Sequence, residues 1–392
     1  MHVVTIGEKT VVVLHAKQAI GPGLAAAFLT NGRFDVRVWT SGDPAWVFRD
    51  GVRPAGIAVE PIPAGAADRL RDLARERPVE VVTNDEYCLH ASAELRAALA
   101  LPPRLPAGLD AWTDKVLMKA CLRAAGIATP DFVALDPVPG PHAAGPLAER
   151  LGLPLVAKPR REANNRGIGV LRSEPELATW LEEHAGRPGW EAESFVEGRL
   201  HHADALVVGG RVAHVLVGAY TAPLLAFSEG RPAGGVTLPE DHADAVAGRR
   251  VNEGTVAALG GGGSFVAHTE FFVTPAGEAV FLETAARAPG ALVSEIAQVH
   301  AGVHLEQASF LLQAGEEVPS PRPTGRYAAW LWFPDPRVLP GPDAVAGRLC
   351  SEHTFEVQRV GPYFTPAALL AWNADHGRLL HDLADAEAMA RP

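Results

Sequence analysis

The chain has 392 residues, 47% of them hydrophobic, with 39 Gly, 33 Pro, 3 Cys and a formal net charge of −11. At about 150 residues per domain this allows two or three domains and a sizeable core, which excludes a disordered chain and a small disulfide scaffold. The acidic balance repels phosphate backbones and anionic lipids, so neither a nucleic acid nor a membrane is expected as partner; a small anionic ligand in one basic pocket stays open.

The sparse, odd set Cys88, Cys121 and Cys350 fits a reducing cytoplasm and reads as core packing. The opening MHVVTIGEKT lacks the long apolar core of a signal peptide. No uninterrupted apolar run reaches the roughly 18 residues that a membrane-spanning helix needs. In chain order, TVVVL (10–14) reads as a buried strand, PGLAAAFLT (22–30) as a helix, and NGRFDVRVWT as a turn and second strand. After a Pro/Gly-rich stretch come a helix in DRLRDLARER, a strand in VEVVTN and a helix in HASAELRAALAL. This βαβ rhythm predicts a parallel sheet covered by helices, ending near Pro102-Pro103. Gly21-Pro22-Gly23 before a helix lacks the third glycine and the distant acid of a dinucleotide fingerprint.

From Thr113 the pattern changes. DKVLMKACLRAAG predicts a helix capped by Thr113, with Lys115 and Lys119 one turn apart. Strands follow near Asp131–Leu135, in PLVAKPR and in WEAESFVEG. Two β-rich runs around Gly209-Gly210 predict a hairpin. Residues 240–259 read as helical, GGGG (260–263) as a compact turn, 268–283 as a second hairpin, and the last 75 or so residues as a mixed α/β tail.

The second hairpin carries the first chemical signal. Centred between Ala276 and Gly277, it sets Glu270 opposite Glu283, with Cβ atoms roughly 5 Å apart. Two carboxylates that close repel unless a cation lies between them, and oxygen ligands on rigid strands suit Mg²⁺. Phe272 is expected on the face of Glu270 and Phe281 on that of Glu283. That makes the face partly buried, where unpaired acids are costly; two solvated surface glutamates are the bland alternative. Arg287, four residues past Glu283, is placed to stabilise a transferring phosphoryl group or a tetrahedral intermediate, or simply to pair with one of the acids. In PLVAKPRREANNRGIGV, Lys158 emerges from a buried strand, and the following glycine loop can point backbone N–H groups at phosphate oxygens. The strand of AESFVEG (192–198) can present its backbone to a purine edge, or be a plain edge strand.

Taken in order, DKVLMK, AKP, a polar glycine loop, ESFVEG, HTEF and LETAAR resemble the ATP-grasp superfamily over residues of about 80 to 310. The run from TNDEYCLH to TDKVLMK is similar to bacterial carboxylate–amine ligases of the amino-acid (dipeptide) ligase type. The resemblance implies an α/β and α+β fold. A Rossmann-like (pre-ATP-grasp) domain would cover 1–110, a small lobe 111–197, and a large lobe with a C-terminal extension 198–392, the two lobes clamping ATP. It implies that Lys115 and Lys158 contact the ATP phosphates, with Lys158 also near the adenine. Asn165, Arg166, Gly167 and Ile168 would form a flexible loop over the phosphates. Glu193 and the backbone of Phe195 and Val196 would read the adenine edge. Glu270 and Glu283 would hold Mg²⁺, one or two ions, with Mn²⁺ as the alternative. Arg287 would steady the acyl phosphate and the tetrahedral intermediate.

Two positions depart from the family pattern. Ala285 stands where many members have a metal-binding Asn, and Leu200 where many have a ribose-binding Glu, leaving His202 as the ribose candidate. The implied activity is ATP-dependent ligation of a small-molecule carboxylate to an amine, releasing ADP and phosphate, in natural-product assembly by family analogy. Homodimers are common among such ligases. The competing readings are a bicarbonate or thiol acceptor, a non-catalytic nucleotide-binding protein and an NAD-dependent enzyme. Trp190, His202, His214, Tyr220 and His268 are candidates for the substrate pocket or for packing.

Overall fold

Three sheets carry the chain in a computed structural model that describes residues 8–49, 51–222, 227, 230–334, 349–357 and 367–389. The opening residues read for a leader (1–7) and two stretches of the tail (335–348, 358–366) lie outside the described residues.

The first sheet is parallel. Its strands are β1 (Lys9–His15), β2 (Phe34–Thr40), β3 (Ile57–Pro61) and β4 (Val79–Thr83), in the order β3-β2-β1-β4. The run VVVL at its centre is buried on both faces, as central parallel strands are. Val11 and Val13 pack with α1 (Gly23–Phe28) and with Phe310 and Leu311 far along the chain. Val12 and Leu14 pack with α2 (Ala66–Glu76). Strand β3 lies inside the Pro/Gly-rich stretch, where no strand was expected; it is a partly exposed edge with weak apolar patterning. Helix α3 (Leu89–Ala98) follows β4.

Next come α4 (Leu109–Thr113) and α5 (Lys115–Ala124). Asp114, not Thr113, caps α5: its Oδ1 accepts from the N–H of Val116 at 3.0 Å and of Leu117 at 3.3 Å. Trp112, Met118 and Leu122 join the core of the large sheet. Residues just after the expected boundary at 111 therefore pack against the large lobe.

The small lobe is a four-stranded antiparallel sheet of β5 (Phe132–Leu135), β6 (Leu155–Pro159), β7 (Gly169–Leu171) and β8 (Trp190–Ser194), ordered β5-β8-β6-β7. Helices α6 (Ala144–Leu151) and α7 (Glu174–His184) share its core. The strand expected to run to Gly198 ends at Ser194. Beyond it the chain crosses to the large lobe so tightly that a Cβ on Gly198 would lie 2.6 Å from the carbonyl oxygen of Val273.

The large lobe is built on an eight-stranded sheet in the order β13-β12-β9-β10-β11-β14-β16-β15. In chain order these are β9 (Arg199–Val208), β10 (Arg211–Tyr220), β11 (Ala233–Thr237), β12 (Phe265–Val273), β13 (Ala279–Ala285), β14 (Tyr327–Phe333), β15 (Glu352–Val357) and β16 (Ala367–Asn373). The β9–β10 turn is Gly209-Gly210, both at positive φ (55° and 79°), which only glycine adopts readily. The glycine run at 260–263 is a compact turn held to that hairpin by the Gly210 N–H donating to the Gly263 carbonyl at 2.8 Å. Helix α8 (Ala243–Leu259) covers one face; α9 (Val293–Ala301) and α10 (Leu305–Ala314) cover the other, and α11 (His376–Met389) closes the far end.

The three cysteines do not share one environment. Cys88 is buried, Cys121 is half-buried against the core of the large sheet and Cys350 is exposed, so packing accounts for the first two and not the third. Burial, with Asp85 nearby, pushes the Cys88 thiol up to about 12. Iodoacetamide at pH 8 should therefore label Cys350 in the native protein and Cys88 only after denaturation, as peptide mass mapping would show.

Candidate active site

The acidic pair sits on adjacent strands. Glu270 on β12 lies directly opposite Glu283 on β13. The route to that register differs from the simple hairpin. Nearer the turn, Phe271 faces Phe281 and Val273 faces Ala279, and an irregularity at Leu282 restores the Glu270–Glu283 pairing. The same bulge rotates Phe281 to the opposite face. It packs with Phe271 in the α8 core and not beside Glu283, as the sequence suggested. Glu270 keeps a buried setting and accepts a hydrogen bond from the Tyr220 hydroxyl at 2.8 Å.

Cations surround Glu283. Burial alone would raise its carboxyl, but Lys115 and Lys158, then Arg287, override this and hold it down at about 2. Lys115 Nζ lies 3.5 Å from Glu283 Oε2 and donates to the Glu162 carbonyl at 2.6 Å. Arg287 is held by Glu86, which accepts from its Nε at 3.1 Å and lies 3.1 Å from its Nη2. The two opposed carboxylates offer oxygen donors of the kind a hard divalent ion such as Mg²⁺ takes.

Lys158 and Glu193 belong to a buried four-charge cluster. Lys158 Nζ is 2.6 Å from Glu193 Oε1, Lys119 contacts Glu193 Oε2, and Lys119 lies 2.8 Å from Glu191 Oε1. Burial works against all four charges. Glu193, Glu191 and Glu283 nevertheless raise Lys158 above the usual lysine range, and Lys158 and Lys119 hold Glu193 below the usual carboxylate range.

Glu270, Glu283, Arg287, Asn165 and Arg166 line one cavity of about 720 Å³. It is walled by the large sheet on one side and on the other by the loop after β1 (Lys17, Gln18, Gly21), Arg49 and Asn84. Lys115, Lys158, Gly167, Ile168, Glu193, Phe195, Val196 and His202 are not among its lining residues. Gly167 packs under Pro159 and Trp190, and Phe195 is exposed at the inter-lobe crossover. His202, the ribose candidate, is buried, with Nδ1 bonded to Asp204 at 2.7 Å. Of the pocket candidates, Tyr220 and His268 line the cavity, whereas Trp190, His202 and His214 do not. His268 bonds Asp204 at 2.7 Å; burial opposes its charge, yet Asp204 and then Glu270 raise it to about 9, so it presents an imidazolium to the cavity. Ala285 is buried opposite His268, and Leu200 is buried beside Phe272.

The TNDE run, which carries part of the resemblance, has a role that its own residues do not reveal and its contacts do. Asn84 Oδ1 accepts from the Ala288 N–H at 2.8 Å, Glu86 clamps Arg287, and Asp85 Oδ2 accepts from the N–H groups of Ala16, Lys17 and Gln18 at 2.6–2.9 Å. Asn84 and Glu86 dock the first domain onto the turn that follows β13, while Asp85 holds the loop after β1 within the first domain. The glycines of Gly21-Pro22-Gly23 serve docking too. Glu306 on α10 accepts from both N–H groups at 2.7 and 2.8 Å, and a Cβ on either glycine would collide with its carboxylate.

A parallel-sheet domain followed by a small antiparallel lobe and a large antiparallel lobe, with the acidic pair on the large sheet, defines the class: the chain has the ATP-grasp fold. Its structure is similar to an L-amino acid ligase from Bacillus licheniformis, at a TM-score of 0.69 and 21% identity over 97% of each chain. It is also similar to an N5-carboxyaminoimidazole synthase from Aspergillus clavatus in complex with ADP and 5-aminoimidazole ribonucleotide, at a TM-score of 0.71 and 14% identity, covering 98% of this chain and 99% of that one. In sequence, 91 residues are 34% identical to a D-alanine–D-alanine ligase from Nitrosomonas europaea, a match spanning 23% of this chain and 28% of that ligase. No family model matches the sequence. No helix among the described residues is long and apolar enough to cross a membrane.

Proposed function

We propose that the protein is an ADP-forming carboxylate–amine ligase that joins two amino acids, or amino-acid-like molecules, through an acyl phosphate. One observation carries the reading: the opposed Glu270 and Glu283, ringed by Lys115 and Arg287, face a single cavity that Asn165 and Arg166 border. The similarity to an L-amino acid ligase and the short match to a D-alanine–D-alanine ligase support it.

In the first step a substrate carboxylate oxygen attacks the γ-phosphorus of ATP, and the bond to the β-phosphate oxygen breaks, releasing ADP. In the second, an amine nitrogen attacks the acyl carbon; the tetrahedral intermediate collapses with loss of phosphate, and the nitrogen gives up a proton to solvent. Both steps need charge neutralisation and positioning more than covalent catalysis. Mg²⁺ held by Glu270 and Glu283 would neutralise phosphate charge. Lys115 and Lys158 add fixed positive charge on the small-lobe side. Arg287, held by Glu86 and by the Ala288 carbonyl, offers its two remaining N–H groups to the developing oxyanion. The loop 161–169 excludes water, which would otherwise hydrolyse the acyl phosphate. Its Glu162 accepts from the Tyr87 hydroxyl at 2.7 Å, so the loop rests against the first domain.

The test is ADP and phosphate release from Mg-ATP against amino acids supplied singly and in pairs, with bicarbonate as an added acceptor. Release that requires both a carboxylate and an amine is the expected result. Release driven by bicarbonate and an amine would replace this reading with an N-carboxylation like that named for the synthase neighbours. Absence of release from every combination would remove it.

A further inference from the structure

Across the large sheet the cavity changes character. At the β12–β13 end it is acidic and cationic. Two strands further on it becomes aromatic. Tyr220 on β10, Gly235 on β11 and Trp330 on β14 stand in one register row, and Ala233 and Trp332 form the next. These residues share a face, because directly paired antiparallel positions do. Strand β11 is stripped of side-chain bulk here, and a Cβ on Gly235 would lie 2.7 Å from Trp330 Nε1. The result is a slot with Ala233 as floor and rings as walls. Trp330 and Trp332 meet edge to face at 5.4 Å and 70°, and Phe227 lies 5.8 Å from Trp332 at 54°. Trp330 is fully buried, and its Nε1 has no hydrogen-bond partner among the described residues.

Resting on the ligase reading, we propose that this slot binds the aromatic side chain of one of the two amino acids joined, against the rings of Tyr220, Trp332 and Phe227, with the buried Trp330 as their support. Rings meeting at steep angles offer both faces and edges to a further ring, the arrangement aromatic groups prefer. A short side chain would leave the apolar walls uncovered.

The experiment pairs L-phenylalanine, L-tyrosine and L-tryptophan in turn with glycine and L-alanine, against L-aspartate, L-lysine and small amino acids, reading ADP release and, separately, calorimetric binding in the presence of Mg²⁺ and a non-hydrolysable ATP analogue. Aromatic amino acids should give the highest kcat/KM. W332A should raise the KM for them about tenfold or more, with that for ATP little changed. A233L, which fills the floor, should do the same if W332A does not fold. Calorimetric binding of aromatic amino acids that W332A abolishes, without ADP release from any pair, would uphold the slot and overturn the ligase reading. ADP release confined to small or charged pairs, or an aromatic KM unmoved by both W332A and A233L, would overturn the slot and leave the ligase reading intact.

Discussion

Replacing Glu283 by Gln should cut amine-dependent ADP release by about 100-fold or more, the scale on which a single preorganised electrostatic contact at a transition state acts. The substitution keeps shape and removes charge. Lys115 keeps its bond to the Glu162 carbonyl and Lys158 its pair with Glu193, so the protein should stay folded, with a melting temperature lowered by the loss of the Lys115–Glu283 pair. What changes is the donor set that faces Glu270 across the strands. Two readouts besides turnover follow: the Mg²⁺ concentration for half-maximal activity should rise, and the thermal upshift given by Mg-ATP should shrink, because a ligand stabilises only as far as it binds the folded state. Activity within threefold of the parent would assign Glu283 to a salt bridge and nothing more.

The second large effect lies in the small lobe. Lys119 is fully buried and lies between Glu191 and Glu193. Removing one member of a buried ion cluster strands the others, and losses of about 3–5 kcal/mol are typical. Lys119→Ala should destabilise the protein by about that amount in urea unfolding. Lys119→Met combined with Glu191→Met should recover most of the loss, because the Lys158–Glu193 pair at 2.6 Å is then left intact and neutral. Equal loss in the single and double variants would show that packing, not charge, accounts for the cluster. Glu193 also sets an acid limit. Its carboxyl is held below the unfolded value, so its stabilisation is complete above about pH 4.3 and is lost as the pH falls through the folded value.

Much of this architecture is legible along the chain. The VVVL run and the βαβ rhythm identify a parallel sheet because strands buried on both faces must be continuously apolar. The Gly209-Gly210 turn is legible because paired positive φ angles call for glycine. The opposition of Glu270 and Glu283 is legible because a hairpin's centre sets its partners, although here a bulge at Leu282 compensates for a centre one step away. Less visible are features made by contacts distant in sequence. Strand β3 has weak patterning because it is an edge. Phe281 changes face through one extra residue in the ladder.

The sequence by itself determined the chemical inventory and its order: lysines ahead of a glycine loop, a cross-strand pair of acids, and an arginine four residues on. Local periodicity and turn stereochemistry suffice for that, since each signal is written within about ten residues. Only the tertiary structure decided how the inventory is deployed. Glu86 meets Arg287, and Glu306 meets the glycines of the first domain, at separations of 201 and more than 280 residues. The same holds for the aromatic slot, whose floor comes from β11 and whose walls come from β10 and β14. Sheet order and register set these meetings; they depend on how the whole core closes, and no local pattern records them.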